Sequence, residues 1–423
     1  MSTAKTLRVW AWSPDWKDGV VERLEWLTEI LASPAGVEQR RALRLSPRRS
    51  FKAEFILEGT ERTRLDLALG ADPSRWLLPI WPDVQRLRGQ ASAGTESIPC
   101  DTRWRGFMPG GFGLLVGPRT GASELLRIES VATGALTLAE PLVSTWPAGS
   151  RLYPVRYAEL AQEPQWTRLN DQTTSVEAEF VLTEPDDVAT LTPAETFQGL
   201  PVLADRPDET EDLTARWQRL GSVLDNETGR IQTSDSAGQA FTVQAHRWIA
   251  AGREAQARLR AFFYALRGRQ GLVWVPTYAA DLELAAPVAA GDQTLDVRGV
   301  GYAEFEAWKR PGRRQIRMDT RFGPLLRAVT GAERTDDGHE QLTVAPAFDQ
   351  ALTIRDVRRV SFLSVCRLDQ DAVEFRHLTD SDGHMDCAAQ FRATLAPAYL
   401  LTEADKPLQL EDQTNLTLEE IWI

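Results

Sequence analysis

The chain has 423 residues, enough for two or three domains, and 43% of them are hydrophobic, as in ordinary globular proteins. Lys and Arg number 48 against 60 Asp and Glu, which gives a net charge of -12. Proteins that bind nucleic acid generally present a basic face, so this balance argues against general phosphate binding. An acidic surface instead suits a protein that must not adhere to DNA.

The cysteines Cys100, Cys366 and Cys387 are few, separated and odd in number, so no disulfide framework is predicted. Synthesis in a reducing compartment is the simpler interpretation. No apolar run approaches the length of a membrane span, and the N-terminal residues lack the apolar region of a signal peptide. We expect a soluble protein without a membrane anchor, made in the cytoplasm. Its fourteen Trp mildly favour an assembly protein.

The first half of the chain is predicted to be rich in β-strands, with one short helix. An apolar strand near Leu7 leads to a Pro-Asp turn and an acidic segment that contains Trp26. Residues 35–57 alternate between apolar and polar, which is typical of half-buried strands. The remaining predicted elements are a helix at 65–69, a turn at 70–74, an apolar strand at 76–83, a β-rich insertion at about 91–150, and return strands at 151–160 and 175–180.

The second half repeats this order around its most regular stretch. Arg253 to Leu266 places apolar residues at helical spacing, which predicts a helix. Gly268 and Gly271 are typical helix-stop and turn residues. The apolar run 272–275 predicts a buried strand that Pro276 ends.

A collinear series of matching segments predicts an internal duplication. The segments 96–100, 104–107, 135–142 and 175–180 match 293–297, 302–305, 341–348 and 386–391 in order. The predicted fold is mainly β with a few helices, a β-sandwich or barrel in two similar domains. The predicted domains are 1–182, with an insertion at about 91–150, and 199–395, with an insertion at about 289–355. A linker at 183–198 and a C-terminal arm at 396–423 complete the chain.

The stretch FFYALRGRQGLVWVPTYAADLEL, from Phe262 to Leu284, resembles the distal tail protein family of siphophages and related gene-transfer particles. The residues that carry the resemblance are Phe262, Phe263, Arg267, Gly268, Trp274 and Asp281. The family implies a helix with paired Phe, an Arg-Gly turn and an aromatic strand within a tail-tube-like β-sandwich. The chain departs from the family because it carries two units, and the first unit lacks the double Phe and the Arg-Gly turn.

The resemblance implies a structural protein of the bacteriophage tail tip, a ring in the distal tail or baseplate. Such a ring joins the tail tube to the hub and fibres and lines the DNA channel, with DNA present only in transit. The implied partners are other copies of the chain, as a hexamer or trimer, the tail tube protein, the baseplate hub, the tape measure and tail fibres. The implied location is the distal end of the tail in the virion. Two alternatives stay open: a trimeric hub component, and a carbohydrate-binding or carbohydrate-cleaving tail protein.

The densest group of possible metal ligands lies between His377 and Cys387. Its Asp-Ser-Asp-Gly sequence partly matches a calcium loop, but no Glu stands at the closing position. Its His and Cys do not complete a four-ligand zinc site. Asp and Gly are also the usual residues of hairpin turns, and we predict a turn without a required metal. The Gly-rich segment 106–113 lacks the Lys of a phosphate-binding loop, so it predicts a long turn or an apolar loop that contacts a partner.

Two segments are candidate interfaces between chains. The basic run with Arg40, Arg41, Arg44, Arg48 and Arg49 alternates with Leu43 and Leu45, which favours a strand that is solvated or lies at an interface. The apolar end Ile421, Trp422 and Ile423 is either a frayed terminus or an arm that packs on a neighbouring chain. None of the four His lies in a hydrolase or metalloprotease motif. The sequence therefore predicts a protein that is not an enzyme and uses no cofactor.

Overall fold

The computed structural model describes residues 8–70, 75–118, 122–184, 195–335, 337–380 and 383–395. This part of the chain is mainly antiparallel β-sheet with two α-helices, which confirms the predicted fold class. Within the same residues, no helix is both long enough and apolar enough to cross a membrane.

In the described residues of the first half there are fourteen strands and one α-helix. These are β1 (Arg8–Val9), β2 (Val20–Glu25), β3 (Thr28–Ala32), β4 (Glu38–Ala42), β5 (Arg48–Glu58), α1 (Gly59–Leu69), β6 (Trp76–Pro79), β7 (Gln85–Arg86), β8 (Ser97–Pro99), β9 (Phe112–Val116), β10 (Ser123–Ala132), β11 (Ala135–Leu138), β12 (Arg151–Leu160), β13 (Gln165–Arg168) and β14 (Thr173–Leu182). A 3-10 turn spans Trp81–Asp83.

The part of the second half that the structure describes contains twelve strands and the second α-helix. These are β15 (Thr196–Phe197), β16 (Leu200–Pro201), β17 (Ala215–Leu224), β18 (Gln232–Ala251), α2 (Arg253–Leu266), β19 (Val273–Pro276), β20 (Thr294–Arg298), β21 (Gln315–Thr320), β22 (Gly323–Arg334), β23 (His339–Ala345), β24 (Val357–Leu368), β25 (Ala372–His377) and β26 (His384–Ala393). Two 3-10 turns span Ala307–Lys309 and Ile354–Asp356.

The helix α2 has the bounds that its apolar spacing predicted. It packs Leu259, Phe263 and Leu266 into the core of the second half. The helix ends where Arg267 adopts a left-handed conformation with φ of 52°, followed by Gly268 with φ of 68°. A Cβ atom on Gly268 would lie 2.8 Å from the Cβ of Trp26, so the position requires glycine. The strand β19 begins one residue later than predicted and includes Pro276 as its last residue.

In the first half, two predicted elements have different bounds. The predicted helix at 65–69 is the last part of α1, which begins at Gly59. The predicted strand at 76–83 is wrong beyond Pro79, because the chain turns there into the 3-10 segment. Pro82 has no backbone N–H and has a fixed φ, so it favours this turn over a continued strand. The backbone N–H of Asp83 closes the turn on the carbonyl oxygen of Ile80 at 2.9 Å.

The two halves form their strand pairs in the same order. In the first half, β5 pairs with β2 and β14, β14 pairs with β13, and β12 pairs with β6 and β14. In the second half, β18 pairs with β17 and β26, β26 pairs with β25, and β24 pairs with β19 and β26. The strands β8 to β11 of the first insertion likewise pair as β20 to β23 of the second. The domain boundaries stated from the sequence stay predictions.

One continuous run of strands connects the halves. Its order is β13, β14, β5 and β2 from the first half, then β25, β26, β18 and β17 from the second, with every neighbouring pair antiparallel. Each half therefore contributes four strands in equivalent order. We call the pairing of β2 with β25 the junction.

Candidate assembly site at the junction of the two halves

The junction pairs two strands in strict register, from Val20 opposite His377 to Glu25 opposite Ala372. Alternate side chains of the first half then enter the core of the second half. Leu24 and Trp26 are fully buried there, in one cluster with Phe375 and residues of α2. The core of the second half is therefore completed by residues that belong to the first.

A buried carboxylate is the centre of the junction. Glu22 accepts a hydrogen bond from Arg49 Nε at 2.8 Å, one from Arg260 Nη2 at 2.7 Å, and one from His377 Nε2 at 2.9 Å. We call these four residues the Glu22 cluster. Glu22 lies on β2, Arg49 on β5, Arg260 on α2 and His377 on β25, so the cluster joins four elements from both halves. All four side chains are buried.

Electrostatics fix the protonation of this cluster. Burial by itself would raise the pKa of Glu22, but the charges of Arg260 and Arg49 and the hydrogen bond from His377 hold that pKa well below its usual range. Burial lowers the pKa of His377 and outweighs the opposite effect of Glu22. A neutral His377 therefore donates its Nε2 proton to an ionised Glu22.

Asp371 forms a second connection at the end of the junction. Its carboxylate accepts the backbone N–H and the hydroxyl of Thr28, both at 2.8 Å. It also accepts the backbone N–H of Arg269 at 2.9 Å and Arg269 Nε at 3.1 Å. Burial would raise the pKa of Asp371, but these hydrogen bonds lower it.

Two further ion pairs connect the halves. Glu38 on β4 accepts two hydrogen bonds from the guanidinium of Arg367 on β24, at 2.7 and 2.9 Å, and both side chains are buried. Arg253 at the start of α2 lies 3.3 Å from Asp83. Each of these carboxylates is already bound by a guanidinium and is closed off from solvent. The junction is therefore suited to holding the halves in a fixed geometry rather than to acid–base catalysis.

Asp83 also fixes the Gly-rich segment 106–113. Its carboxylate accepts the backbone N–H of Gly106 at 2.9 Å. Phe107 is buried, and Phe112 lies in β9. The segment is irregular from 106 to 111, with a turn at 109–110, and the strand β9 begins at Phe112.

The predicted basic strand over Arg40–Arg49 is wrong as a single element. β4 ends at Ala42 and β5 begins at Arg48, so Leu43 and Leu45 lie in an exposed loop. The alternation suggested a strand, but these leucines face no core among the described residues. Arg44 donates to the carbonyl oxygen of Glu25 at 2.7 Å, and Arg49 belongs to the Glu22 cluster.

Among the other predicted interface residues, Arg40 is half-buried on β4, whereas Arg41 and Arg48 are exposed. Their contact with a neighbouring chain stays a prediction. The residues Ile421, Trp422 and Ile423 lie outside the described part of the chain.

The ligand-like stretch from His377 to Cys387 is divided between two strands. Asp380 lies 3.3 Å from Arg86 and 3.4 Å from Arg151, and burial raises the pKa of the Cys387 thiol well above its usual value. Asp382 lies outside the described residues. Within the described residues, no three His, Cys, Asp or Glu are placed to hold a metal ion.

Sequence reasoning did not identify Glu22 as the partner of His377. The alternation of β2 contained a signal, because Glu22 falls on the same face as the apolar Val20 and Leu24. A carboxylate on an apolar face requires buried partners. The sequence could not indicate which partners those were.

A surface groove of about 960 Å³ lies beside β17, the last strand of the continuous run. The exposed rings of Trp217 and Phe305 lie on its wall, and the guanidinium of Arg313 is 4.8 Å from Trp217 and 4.9 Å from Phe362 in cation–π contacts. Asp281 supplies the one carboxylate among the described residues that line the groove, and it accepts the backbone N–H of Phe362 at 2.8 Å. The described lining of the groove therefore does not include the carboxylate pair of a glycosidase.

Comparison with known proteins does not assign the chain to a family. No family model and no curated protein matches the sequence. One solved structure found by comparison is the phage phi92 endosialidase, with 11% sequence identity and a TM-score of 0.16. The match covers 96% of this chain and 64% of that chain. We draw no conclusion about fold or function from a similarity of this size.

Proposed function

We propose that the chain is a structural protein of a bacteriophage tail tip, a ring of the siphophage distal tail or baseplate that joins the tail tube to the hub and fibres. The observation that carries the proposal is the repeated strand order, with the two halves joined edge to edge in one sheet. Units joined head to tail suit closed rotational symmetry, which completes every interface without free ends.

The residues that carry the family resemblance give a second line of support. Phe263 is buried within α2, and Arg267 and Gly268 form its left-handed end. Trp274 follows in β19, and Asp281 binds the backbone of the neighbouring strand β24. The order of helix, turn and strand supports the proposal, whereas β19 ends at Pro276, before the Asp281 at which the resemblance implies that the strand ends.

The charge of the chain is consistent with a conduit. A net charge of -12 favours a surface that repels DNA in transit. The proposed partners are other copies of the chain, the tail tube protein, the hub, the tape measure and the fibres. A trimeric hub is the closest alternative, because three chains with two units each would supply six similar positions. The number of copies in a particle distinguishes a trimer from a hexamer.

Localisation in the particle tests the proposal. Gold-labelled antibody raised against the purified full chain is applied to intact tailed particles, with particles that lack the chain as a control. We expect label at the distal end of the tail. Label along the tail shaft, on the head, or on neither would contradict the proposed location.

The exposed rings of Trp217 and Phe305 favour a second candidate, a carbohydrate-binding tail protein. A glycan array with the full chain is the direct test. We would expect Phe305→Ala to abolish binding to any glycan that the groove recognises, with Phe322→Ala as a control at another exposed Phe. No glycan signal, or a signal that Phe305→Ala does not change, would reject this candidate.

A further inference from the structure

The continuous run of strands ends in an exposed strand on each side. At one end, β13 pairs with β14 alone among the described strands, and all four of its residues are exposed. At the other end, β17 pairs with β18 and with no other strand in the described residues, and most residues of β17 are exposed. Open strand edges pair readily with other chains unless they are shielded.

Both exposed edges carry a large aromatic side chain. Trp166 on β13 is 39% exposed, and Trp217 on β17 is 62% exposed. Near the tip of the hairpin formed by β17 and β18, Val223, Leu224 and Ile231 are also exposed. Such apolar side chains at strand edges favour a protein partner over solvent.

The junction inside the chain shows what these edges can bind. In the repeated order, β13 holds the place of β25, and β17 holds the place of β2. The pairing of β2 with β25 at the junction therefore joins the equivalent of β17 to the equivalent of β13. A second copy of the chain presents the missing partner at each open edge.

The strand registers identify the equivalent residues on β13 and β25. Phe180 pairs with Leu160, and Phe391 pairs with Leu368 in the equivalent strands. Four residues before these Phe residues, Val176 lies opposite Trp166 and Cys387 lies opposite Phe375. Trp166 thus holds the place of Phe375, which Leu24 and Trp26 cover in the second core.

The same comparison places β17 on β2. Phe180 pairs with Phe51, and Phe391 pairs with Gln244. Glu22 lies opposite Phe51, and Ala215 lies opposite Gln244, so Ala215 holds the place of Glu22. Two residues further along each strand, Trp217 holds the place of Leu24.

We propose that β17 of one copy pairs antiparallel with β13 of a second copy, with Ala215 opposite Trp166, as Glu22 is opposite Phe375 at the junction. Ala215 leaves room for the large ring of Trp166. Trp217, two residues further along the strand, covers that ring from the same face. Within the bounds of the two strands, this register pairs Ala215 and Arg216 of β17 with Trp166 and Gln165 of β13. The pairing satisfies free backbone groups of these residues and buries two exposed Trp side chains.

The chemistry of the two interfaces differs in one respect. The junction inside the chain buries the carboxylate of Glu22, whereas Ala215 brings no charge to the interface between copies. In the same register, Arg216 lies opposite Gln165, where the junction has the ion pair of Arg23 with Glu374 at 2.9 Å. This pairing deepens the proposed ring, because it specifies how its copies bind, and it rests on that proposed self-assembly.

Disulfide trapping tests the register in the full chain. The variant Arg216→Cys with Gln165→Cys places two thiols directly opposite each other between copies, within disulfide reach. The control, Gln218→Cys with Thr167→Cys, uses the same two strands but separates the thiols by four residues of register. The natural cysteines are buried and free. We expect oxidation to give dimers and higher species with the first variant and monomers with the control.

Sedimentation velocity then tests the two Trp residues. We expect Trp217→Ala and Trp166→Ala each to weaken self-association by at least about tenfold, a loss of about 1.4 kcal/mol. Val143→Ala, at an exposed apolar residue away from both edges, should leave association unchanged.

The outcomes separate this inference from the proposed function. Equal cross-linking of both cysteine variants, or none, overturns the strand pairing. Association that the Trp substitutions do not weaken also overturns it. Distal gold label in particles would still support the tail-tip function in those cases, whereas label elsewhere with specific cross-linking would reject the function and keep the pairing.

Discussion

Two hairpins hold equivalent places in the two halves and differ in what covers them. The first, residues 20–58 with β2 to β5, buries Leu24 and Trp26 completely against the second half. The second, residues 215–251 with β17 and β18, exposes Trp217 at 62% of its surface. The exposure of a residue here follows from whether another described strand of the chain covers the hairpin. The residue types alone would suggest burial in both.

The two hairpins also differ in the charge that they carry at one equivalent position. The first carries Glu22, with partners Arg49, Arg260 and His377 supplied by the same chain. The second has Ala215 in that position. Burying a carboxylate requires all its partners at once, because an unpaired buried charge is costly. When all the partners belong to one chain, folding brings them together. In an interface between copies, the partners come together only when the copies associate.

The largest expected effect comes from breaking the Glu22 cluster. We expect Glu22→Gln to lower the free energy of unfolding by about 5 kcal/mol, because it removes the negative charge that two buried guanidinium groups require. Urea unfolding of the full chain measures the change. A loss below about 1 kcal/mol, the range of exposed ion pairs, would show that the cluster does not hold the junction.

Acid should weaken the same cluster. The pKa of Glu22 is held well below the ordinary value of 4.5, so its contribution to stability is complete above that value and is lost as the pH falls toward the lowered pKa. We expect part of the acid destabilisation of the native chain to be absent in Glu22→Gln. Urea unfolding at a series of pH values below 4.5 makes the comparison. Parallel stability curves for the two proteins would contradict it.

The two hairpins are compared directly by removing one Trp from each. We expect Trp26→Ala to cost about 4 kcal/mol, because it empties a fully buried site. Trp217→Ala should change the stability of the dilute monomer by less than about 0.5 kcal/mol, because its ring is largely exposed. Thermal and urea unfolding at low protein concentration test both, and equal losses would mean that the hairpins are not covered differently.

His246 offers a smaller, pH-dependent test within the second half. Ala53 holds the equivalent place in the first half. Burial lowers the pKa of His246 to about 4, and neither ring nitrogen has a hydrogen-bond partner among the described residues. The unfolded chain then binds the proton first, so stability falls between pH 6.5 and 4 by about 3 kcal/mol. We expect His246→Leu to remove that fall, and unfolding at pH 7 and pH 4 to show the difference. An unchanged fall would mean that other groups titrate there.

The smallest effect is expected at the exposed side of the junction. Glu374→Gln removes the ion pair with Arg23, in which both side chains are largely exposed to solvent. We expect a loss below about 0.5 kcal/mol, since solvent and salt screen such pairs. A loss comparable to that of Glu22→Gln would mean that this exposed ion pair stabilises the junction as much as the buried cluster does.

Part of this fold was predictable because it is encoded over short distances. Helical spacing gave the bounds of α2, and alternation indicated the strands around it. The same local reasoning failed between Arg40 and Arg49, where alternation continued through a loop. It also extended β6 beyond Pro79, since an apolar run does not reveal where the backbone turns.

The sequence by itself determined the fold class, the helix α2 and the repeated order of segments, because periodicity and turn chemistry act between near neighbours. The tertiary structure alone decided the junction. Glu22 lies 27, 238 and 355 residues from its three partners, and no local pattern specifies such distances. Strand edges bind whichever complementary edge folding brings within hydrogen-bonding distance, and burial of Leu24 and Trp26 then fixes the register. For the same reason, β13 and β17 stay exposed at the two ends of the continuous run of strands.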